Sequence, residues 1–351
     1  MTGGMYFGPP GWALPACPLP PFTPLSAPLA RPNNRLELRD FTTHIGLGQT
    51  HPWLPALADQ IMALAERPAR RLIITGLAMA PESRIGALCA SVAAPAIVSG
   101  IDLIASALGH PPATLVTDRA DRAAFRPLRR AARGRYRVRQ IVARYPAAHP
   151  AILARLLFGC QAAEPISDSI VIIDILTCMA MGMAAEQAVR FSHRPVQIFI
   201  AGIPPRVIWS PIGARVHDVF VQAGIDPGRM ECIANGMMAG SAVDMGTAAI
   251  HGATETLSLR SFPAAELQVD CIRCAWCVQS CPTSINPAAL FAASAMVDCV
   301  GVGDPKSALA CIGCGLCTYV CPSRIPLAAV IQELRSRVEF NVVGAARGIN
   351  P

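Results

Sequence analysis

The 351-residue chain lacks most arrangements that would fix a chemistry at sight. It has no phosphate loop, no Ser-His-Asp set and no paired carboxylates, so mechanisms built on them are set aside. His193 and His217 stand alone and read as surface or core residues. Lysine is almost missing: Lys306 is the only one, and the rest of the 30 basic residues are arginine. The densest basic stretch, Arg126 to Arg139, has no recognition motif and no interleaved aromatic beyond Tyr136. That argues against nucleic acid and for a solvated helix face, with docking of an acidic ferredoxin or flavodoxin as the other use. Met1–Pro10 has neither the basic start nor the continuous apolar core of a secretory leader. Hydrophobic residues make up 52% of the chain, which raises the question of a membrane span. The two best stretches are 88–109, broken by Pro95 and Asp102, and 170–188, broken by Asp174 and Glu186. A charge at the centre of a span is costly, so both read as buried strands and helices.

Cysteine, by contrast, is plentiful, at 14 residues. Cys17, Cys89, Cys160, Cys178, Cys232 and Cys299 are scattered without ligand spacing and read as small buried hydrophobes. The other eight form two copies of one run. The first is Cys271-Ile-Arg-Cys274-Ala-Trp-Cys277-Val-Gln-Ser-Cys281-Pro282, and the second is Cys311-Ile-Gly-Cys314-Gly-Leu-Cys317-Thr-Tyr-Val-Cys321-Pro322. Each reads C-x₂-C-x₂-C-x₃-C-P, the spacing that holds a [4Fe–4S] cluster. Two-residue gaps let three thiolates from one short loop reach three irons of one cubane. In two-cluster ferredoxins the fourth cysteine ligates the other cluster. Cys271, Cys274, Cys277 and Cys321 are therefore assigned to one cluster, and Cys311, Cys314, Cys317 and Cys281 to the second. Zinc prefers two separated pairs and fits a compact run ending in proline poorly. Gly313 and Gly315 let backbone approach the second cluster, where Arg273 and Trp276 stand in the first run. Thiols that must stay reduced until loaded point to the cytoplasm. The implied chemistry is one-electron relay.

The chain reads as α/β followed by α+β. Residues 1–40 form a proline-rich extended arm. Leu72–Thr75, Ala113–Thr117 and Ile170–Asp174 read as buried strands, alternating with helices at Ile97–Leu108 and Met179–Val189, which implies a parallel sheet over residues 41–192. A smaller module, 193–250, opens with a strand pair, Val196–Ile200 and Arg206–Trp209. It continues with a helix whose Ile212, Val216, Val219 and Phe220 share a face and which stops near Gly224. In the cluster domain, 251–340, Asn286 and Pro287 open one helix, and Pro326 opens another carrying Leu327, Val330, Ile331, Leu334 and Val338. Residues 341–351 are a tail.

Residues 41–340 resemble the RnfC subunit of Rnf electron-transport complexes and the cobalamin reductase PduS, on the two cysteine runs, on Cys321-Pro-Ser-Arg-Ile-Pro-Leu327 and on Asn235-Gly-Met-Met-Ala-Gly240. The resemblance implies a Rossmann-like flavin domain, a β-grasp module of the soluble-ligand-binding kind and a two-cluster ferredoxin-like domain. It also implies Rnf-type redox partners and peripheral attachment at the cytoplasmic face of a membrane. Three family elements depart. The glycine-rich flavin loop is reduced to Ile45-Gly46-Leu47-Gly48-Gln49-Thr50-His51-Pro52-Trp53. The acidic N-G-A-E-C-E-P becomes Thr75-Gly76-Leu77-Ala78-Met79-Ala80-Pro81, with both acids alanine. Y-P-x-G-G-E-K becomes Tyr145-Pro146-Ala147-Ala148-His149-Pro150-Ala151. Gly46, Gly48, Gly76, Ala78 and Ala80 thus mark a degenerate site: NADH oxidation is expected to be lost, and little remains to hold FMN. Two [4Fe–4S] clusters are the expected cofactors. An intact NADH-dependent reductase and a non-catalytic assembly module are the alternatives.

Overall fold

The computed structural model describes residues 19–20, 22–65, 67–159, 169–261, 268–294 and 304–346. The chain divides into two compact units, 1–150 with 166–262 and 151–165 with 263–351.

The first unit begins with α1 (Arg35–His44). The Asn34 side chain accepts from the Glu37 amide while the Glu37 carboxylate accepts from the Asn33 amide, a reciprocal cap. After α2 (Leu57–Ala63) come β1 (Arg71–Thr75), α3 (Ile85–Val92), α4 (Ala94–Ala107), β2 (Ala113–Asp118), α5 (Arg126–Ala132) and β3 (Arg137–Ile141). The chain continues through α6 (Pro150–Phe158) to β4 (Ile170–Asp174) and α7 (Ile175–Gln187). The four strands form a parallel sheet in the order β3-β2-β1-β4. Strands buried on both faces must be apolar throughout, and Leu72, Ile73, Ile74, Val171, Ile172 and Ile173 are all buried. Helices α4 and α7 touch backbone to backbone: a Cβ at Gly182 would stand 1.8 Å from the Ala96 carbonyl oxygen, and one at Gly100 would stand 1.9 Å from that of Cys178.

A second sheet in the same unit holds β5 (His193–Ile200), β6 (Ile203–Pro211), β7 (Met230–Ala234), β8 (Ser241–Val243) and β9 (Thr256–Ser261), in the order β6-β5-β9-β7-β8. β5 and β9 run parallel and the other pairs antiparallel. Val216, Val219 and Phe220 of α8 (Val216–Gln222) seal its core. Strand β9 is integral to this sheet, so the module runs past residue 250.

Expectation and structure differ at the basic stretch. Arg126–Ala132 is helix, but Arg137–Ile141 is the edge strand of the parallel sheet. Arg135 and Tyr136 between them both bind Asp102 on α4. Of the expected extended arm, residues 1–18 and 21 lie outside the described residues, as do Cys160 and Cys299, and 35–40 are instead the start of helix α1, capped by Asn34. Cys89, Cys178 and Cys232 are buried, as packing residues should be. Among the described residues no single helix is long and apolar enough to cross a membrane.

The second unit contains α6 from Ala151 onward, then α9 (Trp276–Gln279), α10 (Pro287–Ser294), a 3₁₀ turn at Pro305–Ala310, α11 (Leu316–Tyr319) and α12 (Leu327–Ala346). Its core joins Ile285, Leu290, Ile325 and Ile331 to Cys277, Cys311 and Cys317. Asn286 caps α10 through the Ala289 amide at 3.0 Å.

Candidate metal centre

The two cysteine runs adopt one backbone shape. Arg273 and Ala275 have φ of +55° and +61°, and Gly313 and Gly315 at the same places have +65° and +76°. Ser284 and Arg324, each three residues beyond the fourth cysteine, repeat the match at +60° and +56°. The residue matching Gly315 is therefore Ala275; Trp276 corresponds to Leu316, the first residue of the short helix. Left-handed turns curl a loop so that successive amides face its inside, the usual setting for an anionic group. Backbone N–H groups of Val278 and Ala288 favour the thiolate of Cys277, as those of Leu316 and Thr318 do for Cys314 and Cys317. Glycine takes such turns freely, whereas Arg273 and Ala275 take them at about 1 kcal/mol or more each.

The cysteines group across the two runs. Cys271, Cys274 and Cys277 line one cavity together with Cys321, walled by Phe291 and Leu327. Cys281 acts electrostatically on Cys314 and Cys317, beside Cys311. Burial pushes the Cys277 thiol up, Cys314 up to about 11 and Cys317 up to about 12. Such thiols stay neutral until a metal group displaces their protons. Among the described residues no three His, Cys, Asp or Glu side chains converge as for a single ion. A cubane asks for something else, because each thiolate takes its own iron corner and the four sulfurs stand apart around it. Four thiols around an apolar cavity with inward amides fit that group.

The two sites differ in their surroundings. Cys271 is exposed, and Ile272 and Trp276 beside it are 66% and 54% exposed, whereas Cys311, Cys314 and Cys317 are all buried. Among the described residues, side-chain hydrogen bonds from α12 reach the second run. The Gln332 Nε2 donates to the Cys311 sulfur at 3.3 Å, and Arg335 Nη1 donates to the Cys311 carbonyl oxygen at 2.6 Å. The ligand spacing does not reveal these two residues. The signal that would is the repeat itself, which places Ala292 where the second copy has Gln332.

The residues that the resemblance marks as a degenerate site lie in the first unit. Gly46 has φ +72° and turns the chain, while a Cβ added at Gly48 would meet nothing within 4 Å. Beyond them Trp53 stacks obliquely on Tyr145 and His149, with ring centroids 5.9 and 5.4 Å apart, so two of the three altered loops meet through aromatic side chains. Gly76 is closely packed: a Cβ there would lie 2.6 Å from Ile175 and 2.7 Å from Phe125. Ala80 is buried against Gly236, whose own Cβ would come within 2.6 Å of it. Ala78 is half-buried. Glu82 accepts from the Met237 amide at 2.9 Å and from Ser258, which ties this loop to the second sheet.

Residues 270–326 match the family described as a 4Fe-4S dicluster domain. With the geometry above, the chain is an iron–sulfur electron-transfer protein of mixed α/β build with a ferredoxin-like C-terminal domain. Its fold is similar to chains of two solved structures. One is the NAD+-reducing [NiFe]-hydrogenase in the air-oxidized state (TM-score 0.53, 13% identity, 89% of this chain and 55% of that one). The other is the NAD+-reducing [NiFe]-hydrogenase in the H2-reduced state (TM-score 0.54, 12% identity, 93% of this chain and 70% of that one). The chain thus spans little more than half the length of the first. No curated protein sequence matches it.

Proposed function

We propose that this chain is an electron-transfer subunit of RnfC-like build that relays single electrons between redox proteins through two [4Fe–4S] clusters. The observation that carries the reading is the crossed grouping: the fourth cysteine of each run stands with the first three of the other. Cys271, Cys274, Cys277 and Cys321 hold one cluster, and Cys311, Cys314, Cys317 and Cys281 hold the other. Each cluster, when bound, takes up and passes on one electron. The chain's part is to supply the thiolates, aim backbone amides at their sulfurs and keep water from the second site.

The first unit is read as scaffold. Its strand order β3-β2-β1-β4 is that of the first four strands of a dinucleotide-binding sheet. The order β6-β5-β9-β7-β8, with its central parallel pair, supports the β-grasp reading. Likeness in fold to NAD+-reducing hydrogenase chains favours a second reading, an NADH-dependent flavin and iron–sulfur reductase. The first reading is preferred because Ala78 and Ala80 offer no group to bind a ribose hydroxyl. The Trp53–His149 contact also fills space between loops that would face a flavin.

Anaerobically purified protein is expected to hold about eight irons and eight sulfides and no flavin. Paired serine variants test the crossing. Cys271→Ser with Cys321→Ser should leave about four irons, whereas Cys311→Ser with Cys321→Ser should leave almost none. The reverse pattern would assign each run its own cluster, and one equivalent of FMN would move the reductase reading to first place.

A further inference from the structure

We infer that Gln332 is a potential-setting residue for the cluster ligated by Cys311, a role with no counterpart at the first cluster. The inference rests on the ligation proposed above and goes beyond it.

Gln332 and Arg335 stand three apart on α12 and so share a helix face. Both reach the same cysteine: Arg335 holds the Cys311 carbonyl at 2.6 Å, and the Gln332 amide points at its sulfur at 3.3 Å. Arg335 is itself held by Glu339 at 2.7 Å, so its main effect is to fix the Cys311 backbone rather than to add bare charge. An N–H aimed at a thiolate stabilises negative charge on sulfur. Reduction adds negative charge to the cluster, so the reduced form gains more from this bond than the oxidised form, and the potential rises. Burial of the second run acts the other way. Gln332 therefore raises the potential of its own cluster, whichever cluster is higher overall.

The internal repeat supplies the control. Gly313 lies opposite the Gln332 amide, and a Cβ there would stand 3.1 Å from Nε2. The first run has Arg273 at the matching place, with the same left-handed backbone and a Cβ, and Ala292 in place of the glutamine. A small residue in the loop goes with an amide on the helix, and a larger one with alanine. The two positions change together, as they must if one amide needs the space.

The test is EPR-monitored redox titration of the full chain, with iron and sulfide counted first on the same sample. Gln332→Leu removes the donor at similar size, and Gln332→Glu replaces it with an acceptor in the same shape. In both, one midpoint potential should fall and the other should stay. The reduced-to-oxidised ratio of that cluster at fixed potential should drop several-fold; a tenfold drop corresponds to about 59 mV for one electron. Unchanged potentials with full iron would overturn the inference and leave the ligation standing. Loss of one cluster in both variants would also overturn it, making Gln332 a structural residue. Wild-type protein without about eight irons would instead sink the ligation reading itself.

Discussion

His51 is the clearest case of a side chain whose surroundings fix its charge. It is buried, its Nδ1 accepts from the Trp53 amide at 3.2 Å, and its Nε2, which then carries the proton, has no partner among the described residues. Burial lowers its affinity for a second proton, although Glu255 and Asp174 pull the other way and the fully buried Arg194 adds to the lowering. Protonation would also set a second N–H against the Trp53 amide. The folded state therefore keeps His51 neutral at pH values where the unfolded chain, with its ordinary pKa of 6.5, binds a proton. Between those two values stability rises with pH, so it is intact above about 6.5 and is lost on acidification, at up to about 1.4 kcal/mol per pH unit. Urea unfolding at pH 7.5 and 5.5 should show a fall in midpoint that is smaller in His51→Gln. Equal falls would place the sensitivity elsewhere, His193 being the other imidazole that burial lowers. From the sequence His51 reads only as one position of the altered glycine loop. Its contacts join parts of the chain that no local pattern connects. Gln332 is not legible in the sequence either, because a ligand motif names the residues that bind, not those that bond to the ligands.

At the scale of elements, the α4–α7 contact governs the first unit. Helix α7 is apolar on every side, as a helix enclosed by its neighbours must be, and glycines let it approach α4. Gly182→Ala would drive a Cβ into the Ala96 carbonyl, and backbone cannot swing aside as a side chain can. The expected cost is about 3 kcal/mol or more, a drop of roughly 6–12 °C in melting midpoint. Gly48→Ala, with open space and no positive φ, should change it by less than about 1 kcal/mol. Comparable losses in both would mean that α4 and α7 can separate cheaply. The neighbouring elements differ in how plainly the sequence announces them. β1 and β4 are legible because strands buried on both faces carry apolar runs, at residues 72–74 and 170–173, and β2 because Leu115 and Val116 sit among β-branched threonines. β3 is not: its arginines lie on an edge strand, where half-exposed side chains imitate a solvated helix. β7, β8 and β9 are short and separated by turns, and only the pairing of β9 with β5 joins them to the rest of the sheet.

The whole molecule is two units that rest on different kinds of core. In the first unit Leu, Ile, Val, Met and Ala fill two apolar clusters that contain none of the eight run cysteines. In the second, Cys277, Cys311 and Cys317 are themselves core residues, and several of its aliphatics pack around them. Those thiols are buried groups whose protons a cluster displaces, so binding energy there is folding energy. Removing the clusters would leave a small core lined by unligated thiols, with too little apolar area to offset chain entropy. The first unit loses nothing directly. Hydrogen exchange before and after anaerobic chelation should therefore show protection lost across α10, α11 and α12 and kept in β1, β4 and α7. Full retention in the second unit would mean that its aliphatic core suffices alone. Loss in both units would mean that the first depends on the second for its stability, and the reading of the first unit as an independent scaffold would fail.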